Sequence, residues 1–66
     1  MIVTVNGEKK DIAEQTNLSQ LLELLALPSE RIAIELNREV VRKKDWANIQ
    51  INDADRIEVV HFVGGG

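Results

Sequence analysis

One segment of this chain has the periodicity of an α-helix, and it constrains the fold most because the other patterned segments are of the β type. Four leucines recur at the spacing that places side chains on one helix face: Leu18, Leu21, Leu22 and Leu25. Leu24 and Leu27 widen this stripe. We predict that the leucine stripe packs in the core.

The two ends of the helix are marked by residues with strong local preferences. Asn17 can cap the first turn, and Gln20 lies in the capping-box position. Pro28 cannot continue a helix and disfavours helical geometry at the residue before it. The sequence therefore predicts a helix over about residues 18–26.

Two β segments precede the helix. Residues 1–5 are apolar and rich in β-branched side chains, which favour a strand. Asn6-Gly7 follows, and this pair is a strong signal for a tight hairpin because both residues tolerate positive φ. Residues 9–12 are predicted to form the return strand.

Further β segments follow the helix. Residues 32–36 alternate between large apolar and other side chains, as in a half-buried strand. Residues 37–39 turn the chain into a short strand that begins at Val40. Residues 52–55 form a turn, and residues 56–63 are predicted to be the last strand.

The order of these segments is typical of an α+β fold, in which a single helix covers one face of a mixed sheet. A β-grasp arrangement of four to five strands satisfies this order, with the first and last strands parallel at the centre. Trp46 lies in the polar connection before the last strand, where we expect a satellite anchor of the core.

Size and composition argue against several classes of protein. The chain has 66 residues, enough for one domain with one small core. Its net charge of -3 argues against a nucleic-acid binder. No apolar stretch reaches the ~20 residues that a membrane span needs, so we expect no membrane partner and a cytoplasmic location. The chain has no cysteine and only one histidine, so no metal site is expected.

The sequence lacks the residue constellations of an enzyme. Ser19, Ser29 and His61 show no spacing that suggests a nucleophile with its base. Asp53 and Asp55 fall in a turn, where two acids are more typical of a solvated loop than of a cation site. We therefore expect a substrate or carrier without a bound cofactor, acted on by other enzymes.

The last strand runs into a glycine tail: Gly64, Gly65 and Gly66. Glycine buries nothing and is the costliest residue to order, so packing does not explain this run. A narrow, flexible segment that enters the active site of another enzyme does explain it. We predict a β-grasp domain over residues 1–63 and a flexible tail over residues 64–66.

The carboxylate of Gly66 is the candidate reactive group, because glycine places no Cβ beside the attacked carbon. A terminal carboxyl has a pKa of about 3.3–3.7 and, once ionised, is a poor electrophile. Transfer of AMP from ATP provides a leaving group. A sulfur nucleophile then leaves a thiocarboxylate, whereas a lysine amine leaves an isopeptide bond, and the residues alone leave both routes open.

A rigid surface beside the tail must supply binding energy, since ordering three glycines costs roughly 3–6 kcal/mol. Val60 and Phe62 are predicted to face away from the helix, and we expect Ile2 on the neighbouring central strand to join them. The predicted partner-binding residues are therefore Ile2, Val60, Phe62, Gly64 and Gly65, together with Gly66 as the reacting group.

These motifs resemble the small ubiquitin-like sulfur carriers, a ThiS-type family of β-grasp proteins. The matching features are Asn6-Gly7, Leu21-Leu22, residues 33–37, Val40-Val41, Trp46, Asp53-Ala54-Asp55, residues 57–59 and Gly65-Gly66. The resemblance covers the whole chain. The family often has glycine at the position of Ala54, and Gly64 is an extra glycine before the family's functional pair.

The resemblance implies a sulfur carrier for thiamine biosynthesis. In the implied cycle an E1-like, ThiF-type adenylyltransferase uses ATP to activate Gly66. A desulfurase system then relays sulfur as a persulfide, which gives the thiocarboxylate. Thiazole synthase, of the ThiG type, finally takes the sulfur into the thiazole phosphate precursor of thiamine.

Four alternatives remain beside this interpretation. The small subunit of molybdopterin synthase uses the same kind of tail, although that family is usually longer. Another sulfur carrier donates to tRNA or to other metabolites. A ubiquitin-like modifier ends in an isopeptide bond instead of a thiocarboxylate. A plain interaction domain carries a tail that does not react.

Overall fold

A sheet of five strands is the largest feature of the protein, which a computed structural model describes at residues 1–28 and 30–62. The strands are β1 (Ile2–Val5), β2 (Glu8–Asp11), β3 (Ile32–Leu36), β4 (Glu39–Val41) and β5 (Arg56–His61). The described residues also form the α-helix α1 (Leu18–Leu24) and a 3-10 helix (Lys43–Asn48).

The first and last strands pair in parallel at the centre, as predicted. The sheet order is β2-β1-β5-β3-β4, and Thr4 lies beside Arg56 where β1 meets β5. The other neighbouring strands pair antiparallel. The predicted α+β architecture, a β-grasp sheet with one helix on one face, is confirmed.

Alternate residues of the central strands and the leucine stripe of α1 form the core. The buried members are Val3, Val5, Leu18, Leu21, Leu22, Ile32, Ile34, Ile57 and Val59, among others. Trp46 is also buried, and its Nε1 donates to the carbonyl oxygen of Val41 at 2.9 Å. The prediction that Trp46 anchors the core is therefore confirmed.

The helix ends earlier than predicted. Its last residue is Leu24, and Ala26 takes a left-handed conformation with φ 55°. The N–H of Leu27 donates to the carbonyl of Leu22 at 3.0 Å, which closes a Schellman-type cap. Leu24 is 66% exposed, so the expectation that it widens the buried stripe is wrong.

The strand bounds also differ slightly from the prediction. The return strand is Glu8–Asp11 instead of residues 9–12, and β5 ends at His61. His61 shares its face with Ile57 and Val59 by alternation, but it is exposed. The predicted boundary between domain and tail lies outside the described residues. Within residues 1–28 and 30–62, no helix is long and apolar enough to cross a membrane.

The turn before β5 adopts the backbone conformation that glycine favours. Ala54 has φ 71°, in the left-handed region. Its N–H donates to the carbonyl oxygen of Ile2 at 2.8 Å, which joins the turn to β1. Ala54 is therefore held in a left-handed conformation by a turn that is bonded to β1.

Candidate functional site: the open face of the sheet at the end of β5

The face of the sheet opposite α1 carries two predicted partner-binding residues. Along β5, Ile57 and Val59 are buried, whereas Val60 is 48% exposed. Phe62 follows the strand and is 59% exposed. Its N–H donates to the carbonyl oxygen of Arg31 at 2.7 Å, so the chain stays paired at this point. The sheet thus holds both exposed side chains next to the start of the tail.

Strands β3 and β4 extend this apolar surface. Ala33 lies opposite Val60, and Val40 of β4 is 71% exposed. We call Ala33, Val40, Val60 and Phe62 the outer patch. Sequence reasoning missed Ala33 and Val40 as site residues, because their place depends on which strands flank β5. Exposed apolar side chains grouped on one face of a sheet are typical of an interaction site.

A pair of acidic residues borders the outer patch. Glu35 of β3 and Glu58 of β5 lie directly opposite each other, and both are half-buried. Like charges in this arrangement are destabilising. Arg56 partly offsets the repulsion, with its Nε 3.6 Å from an oxygen of Glu58, although an exposed ion pair contributes little. The open face is therefore apolar with a negatively charged row.

Ile2 does not lie with Val60 and Phe62, contrary to the prediction. Its carbonyl oxygen accepts from Ala54, so Ile2 is level with the turn before β5. At about 3.3 Å per residue, the stretch from residue 54 to residue 60 spans about 20 Å. Ile2 is 45% exposed, but it belongs to the opposite end of the sheet. The prediction was based on the adjacency of β1 and β5 and did not consider which residues of the two parallel strands lie side by side.

The glycines with predicted roles lie outside the described residues. Gly64 and Gly65 remain predicted partner-binding residues, and Gly66 remains the predicted reacting group. The structure describes the segment that leads to them, up to Phe62.

The two turn acids have structural roles. Asp53 Oδ1 accepts from the N–H of Ile2 at 2.8 Å. Asp55 accepts from the N–H of Asn52 at 2.7 Å and from the side-chain amide of Asn37 at 3.0 Å. In the described part of the chain, no three His, Cys, Asp or Glu residues are grouped as a metal site requires. These contacts agree with the interpretation of Asp53 and Asp55 as turn residues.

Two asparagines in the hairpin turns bind β5 from its two sides. From the β1 side, Asn6 Oδ1 accepts from the N–H of Val59 at 2.7 Å, and Asn6 Nδ2 donates to the carbonyl of Val59 at 3.3 Å. From the β3 side, Asn37 Oδ1 accepts from the N–H of Arg56 at 2.9 Å. The strand that carries the candidate site is therefore tied by side chains as well as by its backbone.

The chain matches known proteins over nearly all of its length. The model of the ThiS family matches residues 3–66. The sulfur carrier protein ThiS of Bacillus subtilis (strain 168) is 34% identical over 68 residues, which covers 98% of this chain and 100% of that protein. The crystal structure of a thiamine biosynthesis protein (ThiS) from Geobacter metallireducens has a TM-score of 0.89 and 35% identity, with 100% of both chains covered.

A longer protein also contains a matching region. A thiazole synthase of Paramagnetospirillum magneticum is 36% identical over 66 residues, 100% of this chain. This chain spans only 20% of that protein's length. Since the family model covers almost every residue and the fold agrees, the chain belongs to the ThiS family.

Proposed function

We propose that this chain is a sulfur carrier of thiamine biosynthesis, which supplies sulfur for the thiazole ring and is acted on by partner enzymes in the cytoplasm. The match to the ThiS family over residues 3–66, which includes the glycine run, carries this proposal. The Bacillus subtilis relative of similar length, named a sulfur carrier protein, supports it.

The proposed chemistry takes place at the carboxylate of Gly66. On an E1-like adenylyltransferase, a carboxylate oxygen attacks the α-phosphate of ATP, which forms an acyl-adenylate and releases pyrophosphate. The terminal sulfur of a persulfide, supplied by a desulfurase system, then attacks the acyl carbon and AMP leaves. A second thiol cleaves the resulting acyl disulfide, so that a thiocarboxylate remains on Gly66 and the donor becomes a disulfide.

Thiazole synthase is the proposed acceptor of this sulfur. A protein named thiazole synthase contains a region that matches all of this chain. A carrier region and its acceptor within one polypeptide have a high effective concentration for each other, which suits transfer between them. We propose that the present chain makes the same kind of contact with a thiazole synthase.

The outer patch is the proposed docking surface for the activating enzyme. Phe62 is an exposed aromatic residue beside the tail, and Val60 lies next to it on the same face. A few desolvated aromatic and aliphatic side chains supply most of the free energy of a typical interface. Docking at this surface offsets the cost of ordering the glycine tail.

Mass analysis of the reacted terminus tests the proposed chemistry. The protein is incubated with ATP, Mg²⁺, the adenylyltransferase from the same organism and a persulfide donor. We expect a mass gain that corresponds to the replacement of one oxygen by sulfur at Gly66. A variant with one residue appended after Gly66 should fold but gain nothing. Lysine-linked adducts of other proteins without any thiocarboxylate would support a modifier instead.

A pair of aspartate variants tests the docking surface. Phe62→Asp should weaken binding to the adenylyltransferase at least about tenfold, because a charge replaces a central aromatic contact. Leu24→Asp is the matched control, since Leu24 is 66% exposed and Phe62 is 59% exposed, but Leu24 lies on α1. Equal affinities of the two variants, measured by calorimetry, would contradict the proposed docking surface.

A further inference from the structure

β5 extends beyond the point where its neighbour β1 stops. The N–H of Asn6 donates to the carbonyl oxygen of Ile57 at 2.9 Å, at the end of β1. The backbone then turns at Gly7 into β2, while β5 continues to His61. A longer β1 would have offered further peptide groups to this part of β5.

The side chain of Asn6 takes the place of such a peptide group. A carboxamide presents one acceptor and a donor, as a backbone amide does. Val59 donates to Asn6 Oδ1 at 2.7 Å and accepts from Asn6 Nδ2 at 3.3 Å. Both backbone groups of Val59 are therefore satisfied by one side chain, 53 residues away in the sequence.

We propose that Asn6 is a positioning residue that sets the direction of residues 60–62, the segment that leads into the glycine tail. On the β3 side this segment is paired, with Val60 opposite Ala33 and Phe62 bonded to Arg31. On the β1 side, Asn6 supplies the matching support immediately before it. The consequence for tail presentation rests on the proposed function.

Asparagine at this position also has a simple local explanation, its tolerance of positive φ. One substitution separates this explanation from the proposed positioning role. Asn6 has φ 49°, a left-handed conformation that asparagine tolerates better than most residues. Asn6→Gly keeps this conformation accessible and removes the side chain that makes both hydrogen bonds to Val59. Asn37→Gly is the matched control, because it also removes two side-chain hydrogen bonds, one to Arg56 at the other end of β5 and one to Asp55.

A measurement on the protein alone tests the positioning. In Asn6→Gly we expect amide exchange at Val59 to accelerate about fivefold, the factor that one ordinary hydrogen bond supplies. Residual dipolar couplings of the amides of residues 60–62 should change, while those of β2 and β4 stay constant. Asn37→Gly should leave residues 60–62 unchanged. Wild-type couplings at residues 60–62 in Asn6→Gly would overturn the proposal.

The rate of adenylation tests the consequence for the tail. We expect kcat/KM for Asn6→Gly to fall about fivefold at a temperature where both glycine variants are fully folded. The control Asn37→Gly should retain the wild-type value, although it also loses stability. Equal losses in both variants would reduce Asn6 to a purely structural role. A wild-type protein that is never adenylated would contradict the proposed function. In that case the dipolar couplings of the Asn6→Gly variant would still show whether Asn6 positions residues 60–62.

Discussion

Two tight turns of the molecule have the same backbone geometry but different sequences. Asn6 and Gly7 have φ 49° and 84°, and Asn37 and Arg38 have φ 51° and 72°. Positive φ at both central residues is the pattern of the type I′ hairpin. Each turn begins with an asparagine that bonds to β5, but glycine follows in the first turn and arginine in the second.

The difference shows how tertiary contacts impose a turn that the local sequence does not favour. Gly7 takes its conformation without strain, whereas a left-handed residue with a Cβ, such as Arg38, costs about 1–2 kcal/mol. Asn37 offsets this cost, since its own N–H donates to the carbonyl of Arg56 at 2.7 Å. Its side chain adds bonds to Arg56 and Asp55. Asn6 makes equivalent bonds to Ile57 and Val59, but only in the second turn do such bonds have to offset the strain of a left-handed arginine.

The largest effect is expected when Asn37 is removed from the second turn. Asn37→Ala loses two side-chain hydrogen bonds. It also places alanine, which disfavours the left-handed region, at φ 51°. We expect a loss of about 2–3 kcal/mol in the free energy of unfolding, measured by urea denaturation. Asn37→Gly, which keeps the turn conformation, should lose only about 1–2 kcal/mol. A loss no larger than that of the glycine variant would show that backbone strain at φ 51° contributes nothing.

Asp55 supports the same turn from the other side of the contact. Asp55→Ala removes the acceptor for Asn37 and for the N–H of Asn52. We expect a loss of about 1–2 kcal/mol, and part of it should be absent in the Asn37→Gly background because the two residues share a bond. Fully additive losses in the double variant would show that the Asn37–Asp55 bond contributes nothing.

Substitutions of Gly7 test how much backbone strain the first turn tolerates. A Cβ at this position would meet no atom within 4 Å, so Gly7→Ala introduces strain without a clash. We expect a loss of about 1 kcal/mol, read from the thermal midpoint. Gly7→Asn should lose less, because asparagine tolerates the left-handed region. Equal losses for alanine and asparagine would point to an effect other than backbone strain.

The smallest effect, and the one of opposite sign, is expected at Arg38. Arg38→Gly relieves the left-handed strain but loosens the unfolded chain, so the net gain should be about 0.5–1 kcal/mol. Urea denaturation should therefore show a higher midpoint with an unchanged slope. A destabilised variant would mean that the arginine side chain has a favourable contact larger than the strain of its backbone.

This comparison also shows what the sequence could and could not predict. The Asn6-Gly7 turn has a purely local sequence signal. Residues 37–39 were also predicted to turn the chain, but an arginine at position 38 does not predict a left-handed conformation there. The bonds of Asn6 and Asn37 to β5 join residues 53 and 19 positions apart, so no local pattern reveals them. Their partners follow only from the strand order.

The same limit applies to the candidate site. Val60 and Phe62 were predicted from alternation along one strand, and their exposure confirms that part. The grouping of Ile2 with them was wrong because the sequences of two distant strands do not reveal the register in which they pair. Leu24 was misplaced because it lies within α1 but away from the face formed by Leu18, Leu21 and Leu22, where it is exposed.

The central position of β5 has a consequence for synthesis of the protein. The hairpins β1–β2 and β3–β4 each form from neighbouring residues, but only β5 lies between them and joins them into one sheet. A nascent polypeptide interrupted before Arg56 lacks that junction and is left with two separate hairpins, which are marginal in water. The five-stranded sheet therefore closes only in a polypeptide that already contains β5, so the last strand to be synthesised is the one that completes the fold.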